Sequence, residues 1–325
     1  MSFKEATSLE FTGERFVPTQ SGQIKYEHLH RYALSLDFAV GKSVLDIASG
    51  EGYGAALLAQ VAQSVTGVDI DPETVNYSKH RYHLPNLNFL VGSCHSIPLP
   101  DSSVDVVTSF ETIEHHDHHE DMMLEIKRVL KPAGSLIISS PNRLIYSDEP
   151  DYKNPFHVKE LYYDEFRHLL GEHFKHIQVY GQKLATGSFV TPLQECNANS
   201  LKVYTGNAAR LDQKIECLPS PLYFIAVCSD SPLKEQQIIN SIYIDVDDDL
   251  LKSSETERIK VIKELEHQIH QSEEALTAQR AAYEEQLLEM KEQQLQEINK
   301  QMRKYQELLD EKSKELDIGK LRTEQ

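Results

Sequence analysis

The sequence predicts an α/β fold, a doubly wound and mostly parallel sheet of seven strands, followed by a long helix of coiled-coil type. Three observations carry this. Between residues 44 and 140, apolar runs of strand length alternate with helical patterns, the rhythm of a parallel sheet covered on both faces. A glycine-rich stretch, Ala48-Ser-Gly-Glu-Gly-Tyr-Gly54, joins the first of those strands to its helix. After residue 250 the composition shifts to Glu, Gln, Lys and Leu without proline, as a long solvated helix requires.

Taken in order, strands are expected at 43 to 47, 65 to 69, 87 to 91, 104 to 109 and 135 to 140. Helices are expected at 54 to 63 and 72 to 82, the second with Asp71 as its N-cap and Pro72 in its first turn. Asp117-His-His-Glu120 reads as a capping box opening a helix with Met122, Ile126, Val129 and Leu130 inward, closed by Pro132 and Gly134. His115 and His116 then fall in the loop above the fourth strand. A helix at 159 to 171 and strands at 174 to 180 and 223 to 228 complete the sheet, and the polar stretch 181 to 220 reads as an insertion near a substrate opening.

Four regions follow. Residues 1 to 40 form an N-terminal segment and helix, the latter opening at Tyr26–Tyr32 with Leu29, Ala33 and Leu36 as one apolar face; the main domain spans 41 to 230. An acidic linker at 231 to 250 ends near Asp245-Val-Asp-Asp-Asp249. Residues 251 to 318 carry heptads in two registers, Ile262, Ile269, Leu276, Tyr283 and Met290, then Leu288, Leu295, Met302, Leu309 and Leu316. These predict a homo-oligomer or a partner protein held through the coil; the alternative is a single solvated helix, because Ser272, Gln279, Lys291 and Lys312 interrupt the seam.

Charge and cysteine usage exclude several classes. With 33 Lys and Arg against 51 Asp and Glu, the net charge of −18 argues against nucleic acid as a partner. The four cysteines have no CxxC spacing, which suits reduced thiols and a cytoplasmic location. The first residues lack an apolar signal core and no run of 18 apolar residues occurs, so membrane contact is expected only through a partner.

The chemistry should collect beyond the carboxyl ends of the strands. That edge gathers the glycine turn, Asp69, Cys94 and the stretch Glu111–His116. Asp69, at the tip of the second strand, can accept hydrogen bonds from two ribose hydroxyls. Asp46, four residues before Gly50, would repel a pyrophosphate but tolerates a ligand bearing an ammonium and a sulfonium. The reading tips toward S-adenosyl-L-methionine.

Val44-Leu-Asp-Ile-Ala-Ser-Gly-Glu-Gly-Tyr-Gly54 and Gly67-Val-Asp-Ile-Asp71, with Phe89–Asp101, Val104–Phe110, Glu111-Thr-Ile-Glu-His115 and Lys131-Pro-Ala-Gly-Ser-Leu-Ile-Ile138, carry a family resemblance. Over about its first 230 residues the chain resembles the class I S-adenosylmethionine-dependent methyltransferases, with their Rossmann-like fold. The resemblance implies that Asp46 lies near the methionine amino end of the cofactor and that the backbone of Ala48, Ser49, Gly50 and Gly52 wraps around it. It assigns Asp69 to the ribose, Ile70 to the adenine face, the Cys94 N–H to an adenine nitrogen, and Ser93 to the place where many relatives use Asp. Phe110 is grouped with these. Ala48 stands where a glycine usually starts the loop, a mild change if its φ stays negative. The resemblance also implies that the segment 1 to 40 acts as a lid, its helix closing over the cofactor, and Arg31, then Arg15, are the candidates for the methionine carboxylate.

His115 and His157 are the candidate bases, each with the alternative of merely ordering a loop. A metal at His115 and His119 is discounted, because the capping box accounts for Asp117 and Glu120. Gly13-Glu-Arg-Phe16, Phe110–His116, Ser139-Ser-Pro-Asn142 and Asn154-Pro-Phe-His157 look like segments of bacterial methyltransferases of surface-polysaccharide synthesis. They imply O-methylation of a sugar or glycan, or of another small-molecule acceptor. The alternatives are a quinone-like phenol, methylated on oxygen or carbon, and a non-catalytic coiled-coil scaffold on a vestigial fold.

Overall fold

The computed structural model describes residues 22–185, 205–207, 210–212, 220–233, 241–245 and 250–323. Two compact units emerge, Met1–Leu250 and Leu251–Gln325. In the first, β1 (Ser43–Ile47), β2 (Ser64–Asp69), β3 (Leu87–Val91), β4 (Val104–Ser109), β5 (Leu130–Pro141) and β6 (His176–Gln182) join a late strand, β9 (Tyr223–Ser229), in one sheet. Its order is β3-β2-β1-β4-β5-β9-β6, and β7 (Thr205–Asn207) and β8 (Arg210–Asp212) form a separate antiparallel pair. β9 runs antiparallel to both neighbours, while the pairings among β1 to β5 are parallel. The predicted doubly wound, seven-stranded sheet is therefore present.

The pleat divides the core in two. Leu45, Ile47, Val107, Leu136 and Ile138 point to one face, where they pack with Met122, Met123 and Ile126 of α4 (His119–Val129) and Phe166 and Leu170 of α5 (Tyr163–His173). Val44, Val106, Ile137 and Val227 point to the other. There they meet Tyr32, Leu34 and Phe38 of α1 (Gln23–Ala39), Ala55 and Leu58 of α2 (Tyr53–Leu58) and Val75 of α3 (Pro72–Arg81). Period-2 alternation on strands buried on both sides produces the near-continuous apolar runs seen in the sequence.

Several local expectations need correction. Of the expected apolar face of α1, Leu29 and Leu36 pack partly buried against the core and Ala33 is exposed, while the fully buried positions are Glu27, Arg31, Tyr32, Leu34, Ser35, Phe38 and Ala39. Apolarity alone misled here, because two charged residues take inward positions. The Asp117–Glu120 capping box does not form: α4 begins at His119, its N-cap is His118, and no side chain caps it. One arm of such a box is present at α5 instead, where Glu165 Oε2 accepts from Tyr162 N at 3.0 Å. β5 starts at Leu130, five residues early, because a register shift opposite Val104 and Val106 absorbs Pro132 and Gly134 into the strand. A π-helical turn at Leu144–Asp148 has no counterpart in the expectation.

Asp71 caps α3 as expected, accepting from Glu73 N at 3.0 Å. Most of the insertion at 181 to 220 lies outside the described residues, as do Arg15 and the acidic run beyond Asp245. Part of the linker is held against α1, where Lys25 pairs with Asp245 at 2.7 Å and Tyr26 meets Tyr243 edge-on. In the second unit α6 (Leu250–Thr323) is one helix, unbroken where the heptad register changes. No described helix is long and apolar enough to cross a membrane.

Candidate active site

Behind β1 the chain turns sharply into α2, and the backbone there is left-handed at Ala48 (φ 55°), Gly50 (φ 53°) and Gly52 (φ 91°). At Gly52 a Cβ would also lie 2.8 Å from the Phe89 ring, so only glycine fits. Gly54 is needed for a different reason: a Cβ would come within 1.9 Å of Tyr32, whose ring lies against the turn. The condition set for Ala48, a negative φ, is not met. Its methyl group sits in the conformation that glycine would take without strain.

Asp46 is wholly buried near the end of β1. It accepts from Thr108 Oγ1 on β4 at 2.6 Å and from the Tyr32 hydroxyl at 3.2 Å. Burial pushes its carboxyl up to about 7, against those two donors and with help from nearby Asp69. Asp69 accepts from Gly50 N at 2.9 Å and from Asp71 N at 3.0 Å, which ties the tip of β2 to the glycine turn. Beside it, Ile70 is 71% exposed, a large apolar side chain with a face available to a flat ligand.

Along the same edge, Ser93 Oγ lies 3.0 Å from His95 Nδ1, and Cys94 Sγ lies 3.4 Å from His116 Nε2. Burial raises the Cys94 thiol, while burial and then the neighbouring His119, His95 and His118 bring His116 down to about 4. Both are therefore neutral near pH 7. Phe110 is buried and meets Tyr32 edge-on at 5.1 Å, so its contribution is to the wall behind the turn.

Arg31 is completely buried. Its Nε donates to Gln182 Oε1 at 2.7 Å, Nη1 lies 2.7 Å from Glu111 Oε1, and the guanidinium stacks 4.4 Å from the Tyr223 ring centre. Nη2 makes no hydrogen bond among the described residues, and neither does the buried Ser49 Oγ. Buried donors without partners are expensive, and each is a place where a ligand oxygen would restore what burial removed. Glu111 itself has φ 49° and is held by Ser139, whose Oγ donates to its carboxylate at 3.0 Å.

The segment Asn154–Glu160 lies across the turn that follows β4. Val158 N and Lys159 N both donate to the Glu114 carbonyl, at 2.8 and 3.1 Å. This brings His157 against His115, with ring centres 5.2 Å apart and planes at 85°. His119, by contrast, is turned away, since its Nε2 donates to the carbonyls of Ile113 and His116. Sequence reasoning placed the stretch Glu111–His116 at this edge without giving Glu111 or Glu114 a role, and it missed Tyr32, Thr108, Glu160 and Gln182. Glu160 lies three residues from its partner His157, whereas Thr108 and Gln182 acquire their roles through partners far along the chain.

Residues 45–138 match the family described as methyltransferase domain. A probable S-adenosylmethionine-dependent methyltransferase of Mycolicibacterium smegmatis is 39% identical over 50% of this chain and 64% of its own length. One of the same description from Mycobacterium tuberculosis is 38% identical over 50% of this chain and 60% of its own. The phthiotriol/phenolphthiotriol dimycocerosates methyltransferase of Mycobacterium tuberculosis is 34% identical over 38% and 46%. This chain thus spans less than two thirds of the length of the curated relatives it matches.

Proposed function

We propose that this chain, whose residues 45–138 match the methyltransferase domain family, is a class I S-adenosylmethionine-dependent methyltransferase acting on a hydroxyl of a sugar or glycan acceptor. When bound, S-adenosyl-L-methionine supplies an electrophilic methyl carbon on a sulfonium. The residues suit it. Asp46 offers a carboxylate to the cationic end, Asp69 has lone pairs left for ribose hydroxyls, Ile70 offers an apolar face, and Arg31 Nη2 and Ser49 Oγ need oxygen or nitrogen partners.

Methyl transfer is an in-line displacement, so most of the rate comes from holding the acceptor oxygen in line, and a base matters when that oxygen is poorly acidic. The observation that carries the hydroxyl reading is the fixed imidazole of His157. Its Nδ1 donates to Glu160 at 2.6 Å, and its Nε2 accepts from Asn154 Nδ2 at 3.0 Å. The carboxylate and the amide together set the tautomer, with the proton on Nδ1 and the Nε2 lone pair turned to Asn154, so that Nε2 becomes the proton-accepting position once that one bond is exchanged. A phenol would need no such group.

The test is incubation with methyl-labelled cofactor and separated glycan, lipid, quinone and protein extracts. Label is expected in glycan, and His157→Ala should lower the rate by about 10²- to 10⁴-fold. Label only in a quinone or phenol fraction overturns the acceptor, and no cofactor binding by calorimetry would leave the scaffold reading.

A further inference from the structure

We propose that Glu114, His115 and His157 form a binding site for one divalent transition-metal ion, of the Mn²⁺, Fe²⁺, Co²⁺ or Zn²⁺ class, at the acceptor end of the site. A ligand atom from each side chain lies within 4.8 Å of the other two, the spacing of donors around one ion. The three come from two segments, the turn after β4 and the strap Asn154–Glu160, which the Glu114 carbonyl pins together through Val158 N and Lys159 N. Two imidazoles and one carboxylate favour these ions over Mg²⁺ or Ca²⁺, and three protein ligands leave positions open for oxygen ligands.

The surroundings are those of a metal centre as well. Each histidine has its Nδ1 anchored, His157 to the Glu160 carboxylate at 2.6 Å and His115 to the Phe156 carbonyl at 3.1 Å. Both acceptors require a proton on Nδ1, so both rings carry their lone pair on Nε2. That carboxylate-or-carbonyl backing is how metal-binding imidazoles are oriented. Coordination would exchange the Asn154 bond at His157 Nε2 for the ion. Glu114 is 0% exposed.

This inference rests on the hydroxyl reading and changes the part His157 plays in it: an ion held there would bind the acceptor oxygen and make its hydroxyl more acidic, so that His157 would act as a ligand and not as the base. It can fail separately. The full-length chain, stripped with chelator, is titrated with Mn²⁺ and Co²⁺ by calorimetry, electron paramagnetic resonance and visible absorption. One ion per chain is expected, with hyperfine coupling to two imidazole nitrogens. Binding should weaken at least tenfold in His157→Gln and about 10- to 100-fold in Glu160→Gln, and stay unchanged in His168→Gln, an exposed histidine of α5. No bound ion, an ion without two-nitrogen coupling, or binding that survives both His115→Asn and His157→Gln overturns the proposal. The coupling measurement uses the unaltered chain, so a variant that fails to fold does not decide the matter. Metal binding without methyl transfer to glycan would overturn only the acceptor assignment.

Discussion

Ala48 and Asp46 both carry a cost in the folded chain, and each makes a measurable prediction. An alanine at φ 55° is less stable than glycine in that conformation by about 1 to 2 kcal/mol, of which glycine returns part through its freer unfolded chain. Ala48→Gly should therefore raise the unfolding free energy by roughly 0.5 to 1 kcal/mol in denaturant titration. A loss would show that the methyl group makes packing contacts outweighing the strain. Asp46 acts through pH. Its carboxyl stands at about 7 in the fold, above the unfolded value, so its contribution to stability is full below about pH 4 and is lost as pH rises through about 7. A cationic ligand favours the carboxylate form. Cofactor affinity should accordingly rise between about pH 6 and 8 and release up to one proton per chain, read by calorimetry in buffers of different ionisation heat. Asp46→Asn should flatten the profile; an equally steep one would place the titration elsewhere.

Elements show which parts of the sequence were legible and why. β1 to β4 were readable almost to the residue, because strands buried on both faces write their limits as apolar runs between turn residues. The glycine turn and Asp69 were equally readable, since backbone that must turn left-handed or approach another element closely demands particular residues locally. Helix faces fared worse. α1 buries Arg31 and Glu27, whose partners Glu111, Gln182 and Tyr223 lie 80 to more than 190 positions away, and no local pattern announces a buried charge satisfied at that range. The false capping box before α4 had the right letters, but Asp117 lies two positions before the first helical residue. His115 and His157 were both named from the chain. That they meet, with Glu114 and Glu160, depended on a strap crossing the turn after β4, which spacing does not encode.

At the scale of the molecule, α6 raises the remaining question. Its 74 residues make a rod of about 110 Å at 1.5 Å per residue. Ile262, Ile269, Leu276, Tyr283 and Met290 are each more than half exposed along one heptad series, and Leu288, Leu295, Met302 and Leu309 along the next. A lone helix gains nothing from so regular a row of apolar side chains in water, whereas burying each against a second helix contributes about 1 to 3 kcal/mol. We therefore expect the chain to self-associate through α6. Replacing Ile269 and Leu276 together by Lys within the full-length chain puts two charges in the seam and should shift sedimentation from a multimer to the single-chain mass of 37.1 kDa. Cofactor binding should not change, because the residues proposed for it lie in the other compact unit. If the unaltered chain already sediments as a monomer at tens of micromolar, α6 does not pair with itself, and either the single solvated helix or a different protein partner remains.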